Sequence, residues 1–144
     1  MDSIAETLLS NIPRGEVIKD PREQDYPEAT IQGAELVQNS TGSWAVILEW
    51  GNLVDTDGRA FPFKERYNIP ESDSDPVQKR IFLSNLHDIG LISRDDKRAV
   101  HADTDEQREA LLVAFQSLTG NVANLRLQES KQGYMQSRVL RAKK

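Results

Sequence analysis

The chain is 144 residues long, contains no cysteine and carries a formal net charge of −5, with 38% hydrophobic and 28% charged residues. That length suits one domain with a sound core, and the missing cysteines exclude disulfides and thiolate chemistry and fit a reducing compartment. No apolar run approaches membrane-spanning length, and the first residues, with Asp2 and Glu6, lack the cationic start of a secretory signal, so a cytoplasmic location away from membranes is expected.

Taken in chain order, residues 3–12 place Ile4, Leu8, Leu9 and Ile12 on one face of a short amphipathic helix that Pro13 stops. Pro13, Gly15, Pro21 and Pro27 make residues 13–27 irregular, either an arm with a partner of its own or a segment packed on the domain. A first strand is predicted from Glu28 to Gln38. Its alternation changes phase near Gly33, since Ala29 and Ile31 share one face while Ala34 and Leu36 share the other. Such a slip at a glycine marks a bulge or bend, which a small barrel needs where one strand serves two sheets. After the turn Asn39-Ser40-Thr41-Gly42, a second strand from Ser43 to Trp50 aligns Trp44, Val46, Leu48 and Trp50. Asp57-Gly58 supplies hairpin chemistry. A third strand from Arg59 to Ile69 then puts Phe61, Phe63, Tyr67 and Ile69 on one side and Lys64, Arg66 and Asn68 on the other. Pro62 cannot donate to a ladder, so this part is expected at an edge or before regular pairing begins.

Asp75 caps a helix with Pro76 in its first turn. Its expected stripe is Val77, Ile81, Phe82, Leu86 and Ile89, and Gly90 closes it. A second helix is predicted to start at Asp103 with Glu106 as its capping-box partner, and to bury Leu111, Leu112, Phe115 and Leu118. A fourth strand from Asn121 to Gln128 follows, then a turn, then a fifth from Tyr134 to about Ala142. Three strands, a helical insert and two strands form the order of a mainly β, five-stranded OB-fold Greek-key barrel. The expected organisation is an N-terminal helix and arm over residues 1–27, the OB domain over 28–142 and a basic end at 143–144.

Charge is unevenly placed. Residues 1–75 carry a net −9 and residues 76–144 a net +4. The final strands therefore build either a basic surface opposite an acidic one or a solubilising tail.

Nothing marks an enzyme, and no cofactor or metal is expected. There is no glycine-rich phosphate loop, His87 and His101 lack ligand partners at metal spacing, and no serine sits in a nucleophile setting. Asp55-Thr56-Asp57-Gly58 fails as a calcium loop, because Leu53 and Lys64 would fall at ligand positions. What remains is the chemistry of a single-strand binder, which needs cations spaced along a groove and rings for bases to stack on. The candidates are Lys64 and Arg66 on strand three, Arg126, Arg138 and Arg141 on the last two strands, and Lys131 in the turn between them. Trp44 and Tyr134 lie beside the two turns that flank the groove of an OB barrel. For each ring, core packing and ligand contact both stand open at this level.

Two runs carry a family resemblance. Ala29-Thr30-Ile31-Gln32-Gly33-Ala34-Glu35-Leu36, followed by Thr41-Gly42-Ser43-Trp44 and Val46-Ile47-Leu48-Glu49-Trp50, resembles the opening of small phage-encoded single-stranded-DNA-binding proteins. Phe82-Leu83-Ser84-Asn85-Leu86-His87-Asp88-Ile89-Gly90-Leu91 is similar to the helix of that group, and Lys131-Gln132-Gly133-Tyr134 to its last turn. The resemblance covers about residues 28–142. It implies an OB core without catalytic residues that binds displaced single-stranded DNA in phage replication or recombination, in the host cytoplasm. Replication or recombination proteins would be its partners, and homo-oligomers would lengthen the groove. Many such binders end in an acidic tail. This sequence ends Arg141-Ala142-Lys143-Lys144, so recruitment through such a tail does not carry over. RNA stays open beside DNA, since that choice rests on contacts to the sugar. The rival reading is a protein-interaction or virion-assembly module built on a small β-barrel, with the acidic first half and the N-terminal helix as contact surfaces.

Overall fold

The computed structural model describes residues 8, 10–13, 15–16 and 18–140. The elements run β1 (Asp25–Gln38), β2 (Trp44–Val54), β3 (Ala60–Asn68), α1 (Pro76–Asp88), α2 (Asp105–Gln116), β4 (Val122–Glu129) and β5 (Met135–Leu140). The fold is mixed α/β: one five-stranded antiparallel sheet in the order β3-β2-β1-β4-β5, with both helices between the third and fourth strands. Leu8 and Ser10 are helical. The rest of the helix expected over residues 3–12 lies largely outside the described residues, as does the end of the last strand from Arg141 onward.

β1 is shared between two halves of the sheet. Its start, Asp25 to Thr30, pairs with β4, and its later part, Thr30 to Gln38, pairs with β2. The register to β2 shifts between Ile31 and Gly33, where the alternation slips in the sequence. Ala29 and Ile31 are buried before the shift, and Ala34 and Leu36 pack against the core after it. The extra residue bends the strand and lets both of its ends face one interior. β2 repeats the device. Its register to β3 shifts between Trp50 and Leu53, and Asn52 sits there at φ 59°. The Asn52 amide donates to the Glu28 carbonyl at 2.9 Å. This left-handed residue absorbs the irregularity, so β2 continues to Val54 rather than stopping at Trp50 as the sequence suggests. In the β2–β3 hairpin, the Asp55 carboxylate accepts from the N–H groups of Asp57 and Arg59, and Gly58 takes φ 81°.

Trp50, Leu48 and Val46 from β2, Leu125 and Leu127 from β4, Phe82 from α1 and Phe115 from α2 fill the core. Asp75 caps α1 by accepting the Val77 N–H at 2.7 Å. Its stripe is narrower than expected. Phe82, Leu86 and Ile89 are buried, but Val77 and Ile81 are 49% and 57% exposed, because the helix meets the sheet only through its later turns. The start of α2 is displaced by one residue from the sequence reading. Thr104 is the N-cap and Gln107 completes the capping box, while the Asp103 carboxylate is committed to the Ser72 N–H at 2.8 Å.

The irregular segment before β1 packs rather than standing free over its described last part. The Pro21 carbonyl accepts from the Thr56 N–H at 3.1 Å and the Gln24 carbonyl from the Leu127 N–H at 3.0 Å, which straps this segment across the hairpin tip and β4.

The expected barrel is left open on one side. Among the described residues no backbone ladder joins β3 to β5. A side chain crosses instead: Glu65 of β3 accepts from the Ser137 N–H at 3.2 Å and from the Ser137 hydroxyl at 2.5 Å. The carboxylate takes the donor that a closing ladder would have used, and the strands stay a side chain apart. Among the described residues no helix is long and apolar enough to cross a membrane.

Candidate nucleic-acid interface

Strand alternation decides which charges face outward. On β3, Tyr67 points into the core and Lys64 and Arg66 point away from it. Lys64 stands across from Glu49 of β2 and pairs with it at 3.8 Å. Arg66 stands across from Ile47, and its guanidinium donates to the Asn39 side-chain oxygen in the β1–β2 turn. On β4, Leu125 and Leu127 point inward and leave Arg126 on the outer face.

Register then sets three charges abreast. Asp25 of β1 lies opposite Arg126, and Arg126 lies opposite Arg138 of β5. The Asp25 carboxylate accepts two bonds from the Arg126 guanidinium, at 2.7 and 3.1 Å. The guanidinium holds the Asp25 carboxyl below the usual carboxylate range, and the carboxylate raises Arg126 in turn. Arg138 has no ion pair among the described residues.

Arg66 and Arg138 come together across the open side of the sheet. They line one cleft of about 340 Å³, whose walls are β3 and β5 and whose floor includes Asn85, Asp88 and Ile89 of α1. Glu65 and Ser137 tie its walls together. Of the cations expected from the sequence, only Arg66 and Arg138 line this cleft among the described residues; Lys64 lines a separate pocket with Glu49, and Arg126 lies across from Arg138 but is held by Asp25. Lys131 is exposed in the turn that joins β4 to β5. Arg141 lies outside the described residues.

The two rings part company. Tyr134, just before β5, is 71% exposed. Its position after Gly133, at φ 87°, turns it out of the hairpin, and its N–H donates to the Ser130 hydroxyl. Trp44 instead lies on the core side of β2, half-buried, with the Arg108 guanidinium of α2 4.9 Å from its ring centroid. That cation covers one face of the ring, which a stacking base would otherwise use.

Glu65, Ser137, Asn85 and Asp25 also shape the site, and no local pattern around them marks them out. Their roles arise from partners 72 and 101 residues away in the Glu65–Ser137 and Asp25–Arg126 pairs. No metal site accompanies the cleft: among the described residues no three His, Asp or Glu side chains gather to hold an ion. His87 lies 2.8 Å from the Asp96 carbonyl, and His101 pairs with Asp103 at 3.5 Å. No protein-family model matches the chain, and no curated protein matches it.

Proposed function

We propose that this protein is a non-enzymatic binder of single-stranded DNA built on an OB-type barrel. The strand order β3-β2-β1-β4-β5 with helices between β3 and β4 supports that assignment, because an OB barrel is a partly open five-stranded Greek key. The observation that carries the function is the meeting of Arg66 and Arg138 in one solvent-open cleft. A strand laid along that path exchanges condensed counterions for these side chains. Tyr134 and Lys131 extend the path at the β4–β5 turn, where a base can stack on the exposed phenol ring. With a net charge of −5, the rest of the surface repels the polymer and confines it to this track. The role proposed is protection of displaced single strands during phage replication or recombination.

The test is a titration of labelled oligo-dT at several salt concentrations. Binding should weaken with a log–log slope near −0.7 per phosphate neutralised, so three to four contacts give roughly −2 to −3. Absence of binding at low salt refutes the function. An assembly module is the second reading, and the exposed Val77 and Ile81 on α1 favour it. It wins if solution mass shows self-association that their replacement by serine abolishes while DNA is ignored.

A further inference from the structure

A second cleft opens from the first. It holds about 610 Å³ between the β1–β2 turn, the end of β3 and the outer face of α1. Arg66 and Asn85 line both clefts, so the two join at these residues. The second is rich in side-chain amides: Asn39, Asn68, Gln78 and Asn85. Asn39 is spent, since its amide nitrogen donates to the Ser43 hydroxyl at 2.8 Å and its oxygen accepts from Arg66. Asn68, Gln78 and Asn85 have no side-chain hydrogen bond among the described residues. Asn85 matters most of the three, because it is half-buried at the junction. A partly desolvated amide without a partner gains more from a ligand than one fully in water. None of the described residues lining this cleft is aromatic, so a base there must be held by its edge rather than by stacking.

The geometry points to a base-reading subsite for a purine in this cleft, a specificity that rests on the single-strand-binding function proposed above. A carboxamide offers one donor and one acceptor side by side. Adenine matches that pair on its N6/N7 edge and again on its N1/N6 edge, which single strands leave free. Two amides can therefore hold one adenine at once. Guanine offers the same match, at O6 with N1–H and again at N3 with N2–H, whereas thymine and cytosine each present it on a single edge, so two amides favour a purine over a pyrimidine. Asn85 and Gln78 grip the base, while Arg66 at the junction meets the phosphate that enters the first cleft.

The test compares two labelled oligonucleotides on the full chain, an all-thymine strand and the same strand with adenine at alternate positions, at two salt concentrations. The adenine-bearing strand should bind about tenfold more tightly, the lower part of what one bidentate contact discriminates. Asn85→Ala should abolish that preference and leave the salt slope unchanged, since no charge is removed. Gln78→Ala, at an exposed position, supplies the same readout if Asn85→Ala fails to fold. Equal affinity for the two strands, or a preference that survives both substitutions, overturns the subsite while leaving single-strand binding in place. A cytosine-bearing strand that gains as much as the adenine-bearing one also overturns it. Failure to bind either strand overturns the function and the subsite with it.

Discussion

Replacing Asp25 with asparagine separates the two things Arg126 can do. In the native chain its guanidinium is held by both oxygens of Asp25, at 2.7 and 3.1 Å. Both side chains are 44% exposed, so water screens the pair and it adds little to stability. Asparagine keeps the shape and one acceptor but removes the charge. The melting temperature should fall by no more than about 4 °C. Arg126, directly across from the unpaired Arg138, is then free to meet a phosphate. One more phosphate contact steepens the salt slope by about 0.7. Between 50 and 200 mM salt that amounts to an extra loss of roughly 2.6-fold, with a corresponding gain in affinity at the low end. Anisotropy of a labelled oligo-dT at four salt concentrations measures both. Glu109→Gln, exposed on α2, makes the same change in net charge without releasing a cation, and should leave the slope alone. If Asp25→Asn and Glu109→Gln behave identically, Arg126 lies off the path of the strand and the outer row of charges has been misread.

Arg138→Ala should lower the slope by about 0.7 for every oligonucleotide tested, with stability nearly unchanged, because a phosphate contact carries no sequence information. Phe82→Ala should cost about 3–5 kcal/mol in denaturant unfolding, since its ring is only 1% exposed between α1 and the sheet. Asn52→Val should cost about 1–2 kcal/mol, because a β-branched residue resists the left-handed backbone that the β2 irregularity requires. Burial, and next the Asp55 carboxylate, push the Tyr26 phenol up to about 12. Its folded value lies above its unfolded one, so its contribution to stability is complete below about pH 10 and disappears as pH rises toward 12. A spectrophotometric titration of phenolate in native and denaturant-unfolded protein checks this, and coincident curves would contradict it.

What could be read without coordinates was local. The bend at Gly33, the hairpin at Asp57-Gly58 and the cap at Asp75-Pro76 each depend on residues within a few positions of one another, and each is where the sequence puts it. The start of α2 was misplaced by one because two overlapping pairs, Asp103 with Glu106 and Thr104 with Gln107, satisfy the same capping rule. Ser72 decides between them by claiming Asp103. The length of β2 was misjudged because Gly51-Asn52 reads as a terminator until Asn52 is seen to bridge to Glu28. On α1, Val77 and Ile81 fit a helical stripe, but periodicity does not say how far along its length a helix meets the sheet. The site suffered most. Composition marked out the cations, yet whether each stands free depends on a cross-strand neighbour. Asp25 beside Arg126, Glu49 beside Lys64 and Arg108 on the face of Trp44 all follow from register and packing over long separations.

The seam between β3 and β5 has a mechanical consequence. Every other junction in the sheet is stitched by a row of backbone bonds, whereas among the described residues this one is held by a carboxylate clasping one serine. Parting the seam breaks none of the ladders, so breathing motions should concentrate there. Amide protons along the seam edges of β3 and β5 should exchange with solvent ahead of those in β1 and β2. Glu65→Ala, by undoing the clasp, should hasten that exchange while leaving the β1–β2 protons as slow as before.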